Sequence, residues 1–380
     1  MDFTLSEEQR QLQEKAYRFA VEKMAPFSRQ YDREEKFSRE IVKMACEAGL
    51  VGCFIPKEYG GPGYGFLEVA LATEQISRID LGLMMAAMGA ATFGSENIVL
   101  FGTEEQKKKY LPRLVKGELL SAGAYTEPDS GTDVVSGRTT AIKQGDEYVV
   151  NGSKIFITNG TVCDYMITFC TTSPDAENKY RRHSLILIES DRKGIARQKI
   201  AGKMGIRTTD TAEISFKDVH VPCENLIGQE GMGFYHVMHF FDVTRTMVAG
   251  QGVGLSQGAL DRTIKYVQQK NFRGRPLATY QRVQFLLAEM ATKIEMIRNI
   301  TYKAAWKVDQ GQIDPSLNAM AKYISGETAV WVCDKAVRLH GEYGYQDDCD
   351  IQKCYRDAKI LEIYEGAKEA EKLTISRRLF

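Results

Sequence analysis

None of the eight cysteines forms a Cys-x-x-Cys pair, and none of the five histidines forms a His-Glu-x-x-His pair. The first absence argues against a zinc site or a disulfide framework and fits a reducing, cytoplasmic setting. The second removes a common zinc-hydrolase signature. Net charge is absent too: Lys plus Arg and Asp plus Glu both come to 50. Bulk attraction to nucleic-acid phosphates is therefore missing, and any anion needs a local cluster. No run approaches the roughly 20 uninterrupted apolar residues of a membrane helix. The opening MDFTLSEEQRQLQEKAYRFA carries acids where a secretion signal needs a basic start and an apolar centre, so it reads as a mature start. Internal repeats and low-complexity segments are missing as well.

What is present is 43% hydrophobic and 26% charged residues, the composition of an ordinary globular protein. A chain of 380 residues exceeds the size at which one hydrophobic core stops growing, so several structural units are expected. From Ser6 to about Leu120 apolar residues recur three and four apart, as at Leu12, Ala16, Phe19 and Ala20, which predicts helices. Thr103 before EEQKKKYLPRL reads as an N-cap, and IPKEYGGPGYG over 55–65 reads as a loop. Near Ser121 β-branched and aromatic runs take over. EYVVNGSKIFITNG, residues 147–160, predicts a β-hairpin turning at Asn151 and Gly152, and similar strands continue to Pro222. From Met232 the helical period returns. One long amphipathic pattern fills 281–311 with Gly311 past its end, and another runs from Pro315 to Gly341. The expected fold is α+β and multi-domain: helices over 1–120, a barrel-like β domain over 121–230, and a four-helix bundle over 231–380.

Some motifs fail on their surroundings. GLSQG, 254–258, matches a hydrolase nucleophile elbow, which requires a strand before the serine, yet its flanks read as one continuous helix. There the small residues suit close helix packing. Gly250, Gly252 and Gly254 lack both the spacing and the βαβ setting of a dinucleotide loop. His236 and His239 share a helix face, with no acid spaced to complete a metal site.

Three stretches are harder to explain by packing. AYTEPDSGTD, 124–133, offers the hydroxyls of Thr126, Ser130 and Thr132 in a polar turn; KIFITNG, 154–160, ends a strand with Phe156 and Thr158. IYEG sets Glu365 between Ile363 and Tyr364 on one side and Gly366 on the other, poor company for a charge. An acid favoured by a helix N-terminus is the plainer explanation of the third.

Together these stretches, with DVTR at 242–245 and YRDAKILEIYEG at 355–366, resemble the acyl-CoA dehydrogenase family over essentially the whole chain. The resemblance implies a FAD enzyme, usually a homotetramer, that removes two hydrogens across Cα and Cβ of an acyl-CoA thioester and passes electrons to an electron-transferring flavoprotein. It places Tyr125, Thr126, Phe156 and Thr158 around the flavin ring, mostly through backbone groups and hydroxyls, and Thr132, Asp242, Arg245 and Gly366 at the substrate. A guanidinium at 245 also suits phosphate or adenine, although pairing with Asp242 on the same helix is as common. Glu365 matches the catalytic base, its proton affinity raised by apolar surroundings. Its N–H would polarise the thioester oxygen, and hydride from Cβ would pass to flavin N5. Where some members carry the base on the D-x-x-R helix, this chain has Thr244, which cannot act as one.

Two stretches depart from the family's ADP-binding pattern. KNFRG puts Lys270 and Arg273 where arginine and phenylalanine are usual, and RLHGEYG puts Arg338 and Glu342 where glutamine and glycine are usual. Glu342 would repel a pyrophosphate, so Lys270, Arg273 or Arg338 is expected to offset it. The acyl floor that the resemblance implies, LGLMMAAMGAATFG over 81–94, has no Arg or Lys, which disfavours dicarboxylic acyl groups. Small Ala86 and Gly89 leave room for a branched or cyclic group or, equally, for a neighbouring helix. Operation as an enoyl-CoA reductase, direct reaction with oxygen, and a silent CoA-binding scaffold are the alternatives.

Overall fold

Periodic apolar positions become helices where a cap is available to start or end them. In the computed structural model, which describes residues 4–380 and all their side chains except those of 90–92, the first third holds six helices. They are α1 (Glu7–Phe19), α2 (Ala25–Glu34), α3 (Arg39–Glu47), α4 (Phe66–Ser77), α5 (Leu81–Phe101) and α6 (Glu104–Val115). Ser6 and Thr103 open α1 and α6 with reciprocal capping boxes closed by Gln9 and Gln106. The loop at 55–65 lies between α3 and α4, around a short 3-10 turn at Lys57–Tyr59.

α5 corrects one expectation. Its 21 residues are long and apolar enough to cross a membrane by length and composition. Leu83, Met84 and Met85 on it are fully buried in the protein core. Ser95, Glu96 and Asn97 interrupt the run that an uninterrupted-stretch criterion seeks.

The barrel-like region is a single eight-stranded sheet. It comprises β1 (Ser121–Ala124), β2 (Thr140–Gln144), β3 (Glu147–Thr158), β4 (Tyr165–Thr171), β5 (His183–Glu189), β6 (Ile195–Lys199), β7 (Thr211–Pro222) and β8 (Leu226–Ile227). Its order is β6-β7-β3-β2-β4-β5-β8, with β1 parallel to β4. The hairpin expected within 147–160 is absent, because β3 runs unbroken through it. Opposite Asn151 it is β7 that bulges, with Lys217 and Asp218 standing against one residue of β3 where the register shifts between Val150 and Gly152. A Cβ on Gly152 would meet Thr139 Cα at 2.6 Å, and its φ of 143° suits glycine. The tight turn comes earlier, at Gly145 and Asp146 between β2 and β3.

The last third contains α7 (Gly233–Gln269), a small hairpin of β9 (Asn271–Phe272) and β10 (Arg275–Pro276), α8 (Gln281–Asp309), α9 (Pro315–His340), α10 (Asp350–Ala358) and α11 (Lys368–Ser376). Asp314 caps α9 ahead of Pro315. The small residues of α7 are packing devices: Cβ atoms on Gly250, Gly254 and Gly258 would fall 3.0, 2.1 and 2.0 Å from the carbonyls of Ala70, Glu74 and Arg78. Ser256 of GLSQG donates to Gly252 O at 2.6 Å inside the same helix, so the elbow reading ends there. His236 and His239 pack on Phe101, with ring centroids 4.1 and 5.7 Å away. One apolar core joins the N-terminal helices to α7, α8 and α9, and a second fills the sheet. The segment before α11 lies against α5, α7 and α9.

Candidate active site

Glu365 stands in the bend between the short turn Lys359–Glu362 and α11. Its φ is 55° and that of Gly366 is 106°. Two consecutive left-handed residues reverse the chain, and for a non-glycine residue the first costs on the order of 1–3 kcal/mol unless its surroundings hold it. The side chain faces α7, where the Thr244 hydroxyl donates to Glu365 Oε2 at 2.8 Å. The two positions at which the family resemblance places a base therefore meet in space, one carrying an acid and the other a donor to it. The residue is half-buried, and desolvation pushes its carboxyl up to about 7. The Thr244 hydroxyl, Arg245 and Lys322 pull the other way. Among the described residues the Glu365 N–H has no acceptor, so it is free for an incoming oxygen.

Around this acid the walls are apolar with a few polar contacts. Tyr364 donates to Gln251 of α7 and lies 3.8 Å from Met85 Sδ of α5. A Cβ on Gly89 would meet Phe93 Cε2 at 3.3 Å and Met85 Cε at 3.4 Å, side chains of its own helix, so packing against a neighbouring helix does not explain this glycine. Glu96, 2% exposed, carries an Oε1 without a hydrogen-bond partner among the described residues. Burial pushes its carboxyl well up, and the charge of Glu365 pushes it further.

Tyr125 connects this region to the sheet. Its phenol is raised by burial and then by Glu365. The hydroxyl is spent within the protein, donating to Phe93 O at 2.9 Å and accepting from Asn97 Nδ2 at 2.7 Å. The following turn is fixed by a buried pair, Lys154 with Glu127 at 2.7 Å, and Lys154 also donates to Tyr125 O at 3.1 Å. Ile155 N donates to Thr126 O at 3.0 Å, which brings Thr126 beside the end of β3.

That strand end fits a flavin ring. Phe156 is 64% exposed with φ 59°, an apolar ring left bare in a strained conformation, and Thr126 and Thr158 are partly open. Asn159 next to them has φ 64° and a buried Oδ1 with no partner among the described residues. A flat aromatic group with polar edges matches such a surface.

The remaining expected residues are more scattered. Thr132 is exposed on its turn. Arg245 is 8% exposed, held by Asp242 at 2.7 Å, the pairing that the sequence left open, and by Glu371 at 3.0 Å, so its guanidinium is occupied by acids. Lys270, Arg273, Arg338 and Glu342 are all exposed, and none appears in an ion pair among the described residues. Within one chain the expected offset of Glu342 is thus not made; in water its charge is screened without a partner. Sequence reasoning missed Glu96, Gln251, Lys322 and Glu371. Each sits in an unremarkable helical pattern, and only the packing of α5, α7, α9 and α11 buries it.

Comparison with known proteins identifies the family. The chain matches the acyl-CoA dehydrogenase N-terminal domain over residues 6–118, the middle domain over 122–219 and the C-terminal domain over 231–380. It is 39% identical to the acryloyl-CoA reductase (NADH) of Anaerotignum propionicum, covering 100% of this chain and 96% of the relative. Two solved structures each cover 100% of both chains. One, described as the electron transferring flavoprotein of Acidaminococcus fermentans, has TM-score 0.97 and 38% identity. The other, butyryl-CoA dehydrogenase from Megasphaera elsdenii, has TM-score 0.96 and 36% identity. The chain belongs to the acyl-CoA dehydrogenase family and is a FAD-dependent oxidoreductase acting on a CH–CH group.

Proposed function

We propose that the protein catalyses α,β-dehydrogenation of an acyl-CoA thioester with Glu365 as the base that takes the α-proton. The observation that carries this is the half-buried Glu365, its carboxyl hydrogen-bonded to Thr244 at 2.8 Å and raised to about 7. An α-proton beside a thioester is weakly acidic, and a carboxylate lifted toward neutrality is a stronger base that remains substantially ionised at working pH. The unspent Glu365 N–H is placed to hold the thioester oxygen as negative charge develops on it. Thr126, Phe156 and Thr158 would hold the flavin ring, while Lys270, Arg273, Arg338 and Glu342 would lie near the ADP half. Bound FAD supplies the acceptor for the hydride that leaves Cβ. Thr132, Asp242, Arg245 and Gly366 would border the substrate, with Arg245 acting through its acid partners.

Small Ala86 and Gly89, with Met85 and Phe93 folded beside the latter, support a compact acyl group, linear, branched or cyclic. The absence of Arg and Lys from 81–94 speaks against a dicarboxylic one. An electron-transferring flavoprotein as acceptor is supported by the likeness to the Acidaminococcus fermentans structure, and a homotetramer by family membership. The 39% identical acryloyl-CoA reductase supports a second reading, the same site run toward reduction of an enoyl-CoA.

Anaerobic titration of the purified protein with acyl-CoAs of differing length and branching tests the first reading. Bleaching of the flavin band by a compact acyl-CoA is expected. A protein that takes up no added FAD, or a flavin that no acyl-CoA bleaches, defeats it. Preferential reoxidation of the chemically reduced protein by enoyl-CoAs favours the second reading.

A further inference from the structure

Behind Glu365 lies a set of buried charges that proton abstraction does not itself employ. Lys322 of α9 is 1% exposed and Glu371 of α11 is 0% exposed. The Lys322 ammonium donates to the carbonyl of Gly366, the residue that follows the base. Glu371 Oε1 stands 1.9 Å from where a Cβ on Gly366 would be, so the carboxylate fills space that glycine leaves open. Arg245 reaches Glu371 with Nε at 3.0 Å and Asp242 with Nη1 at 2.7 Å. Burying charges costs free energy unless they are balanced, and here cations and acids from three helices balance one another.

Resting on the function proposed above, we propose that Lys322 and Glu371 are positioning residues: Lys322 clamps the Gly366 carbonyl to keep the turn at Glu365, and the pair sets how readily Glu365 holds its proton. The charged groups facing Glu365 are few. α7 contributes Arg245 and Asp242, α9 contributes Lys322, α11 contributes Glu371 and α5 contributes Glu96. Glu362, in the turn before it, is held by Lys359 and Lys368. Thr244, Tyr125 and Tyr364 are neutral neighbours. Arg245 and, after it, Lys322 are the cations that favour ionised Glu365, and Lys322 is also bonded to the turn that carries the base. Burial pulls Lys322 down and Glu371 up, and their mutual attraction opposes both. Removing the cation therefore favours protonated Glu365. Removing the Glu371 charge favours ionised Glu365, because an anion is lost and Lys322 then faces Glu365.

The test uses the flavin-loaded protein and follows the Glu365 carboxyl by difference infrared spectroscopy across pH, its band assigned by its loss in Glu365→Gln. The pH dependence of kcat/KM is measured in parallel with the acyl-CoA that bleaches the parent fastest. Lys322→Met is expected to move the midpoint up by about one pH unit or more. Lys322→Arg should stay near the parent and Glu371→Gln should move the midpoint down. An unmoved midpoint in Lys322→Met, or movement of Lys322→Met and Glu371→Gln in the same direction, overturns the proposal. If Lys322→Met fails to fold, the direction of the Glu371→Gln shift decides alone. Infrared midpoints that shift as stated in a protein that dehydrogenates no acyl-CoA would refute the function and leave this charge coupling standing.

Discussion

Thr244→Val deletes one hydrogen bond from the base while keeping the side chain's shape, and its consequence can be worked out from the geometry. The hydroxyl donates to Glu365 Oε2 at 2.8 Å from a residue only 1% exposed. A hydrogen bond to a charged group contributes about 1.5–3 kcal/mol, and each pKa unit corresponds to about 1.4 kcal/mol. The bond stabilises the ionised carboxylate, so its loss should raise the proton affinity of Glu365 by about one to two units from about 7. At pH 7 the ionised fraction would then fall from about one half to roughly a tenth or a hundredth, lowering kcat/KM about 5- to 50-fold. The deficit should close above pH 9, where both proteins are largely ionised. Rapid-mixing measurement of flavin reduction from pH 6 to 10 reads both limbs. A loss of the same size at every pH, or an unmoved acid limb, would refute the assignment of Thr244 as a donor to the base.

Glu365→Gln should be more stable than the parent above neutrality. A carboxyl raised from 4.5 to about 7 on folding contributes stability that is fully present below pH 4.5 and lost as pH rises through 7. The variant should therefore gain up to about 3 kcal/mol at pH 8 and match the parent near pH 4.5; urea denaturation at the two pH values checks this, and equal midpoints at pH 8 would contradict it. Lys154→Met strands Glu127, 7% exposed, without its cation and should cost about 3–5 kcal/mol. The variant should also lose flavin on desalting, because Lys154 ties the Thr126 turn to β3; denaturation and visible absorbance report the two effects, and full flavin retention would sever that link.

Local signals located most of the helices. Pro315 and Gly341 bracket α9 because proline is favoured just inside a helix start and glycine just past an end, and Thr103 caps α6 as its hydroxyl requires. Asn151 and Gly152 misled because that dipeptide is a turn signal in isolation, whereas here β3 pairs with β2 on one side and β7 on the other, and that pairing carries the strand through both residues while the bulge opposite them falls in β7. Glu365 stood out because an acid among apolar neighbours is rare. Lys322 and Glu371 did not, since AKYISGE and KEAEKL have the texture of solvated helix faces; only the seating of α11 against α9 and α7 encloses them. The side-chain polar atoms of Tyr125 and Arg245 have partners within the protein, Phe93 and Glu371, that sequence spacing does not reveal.

The role of Glu365 is tested most directly by mixing the flavin-loaded parent and its Glu365→Gln variant anaerobically with the same saturating acyl-CoA and recording the visible spectrum. The parent's flavin band should bleach within the mixing time or soon after. The variant, binding flavin and substrate normally, should stay coloured. Bleaching of the variant at a rate near the parent's would place the base elsewhere and contradict the account.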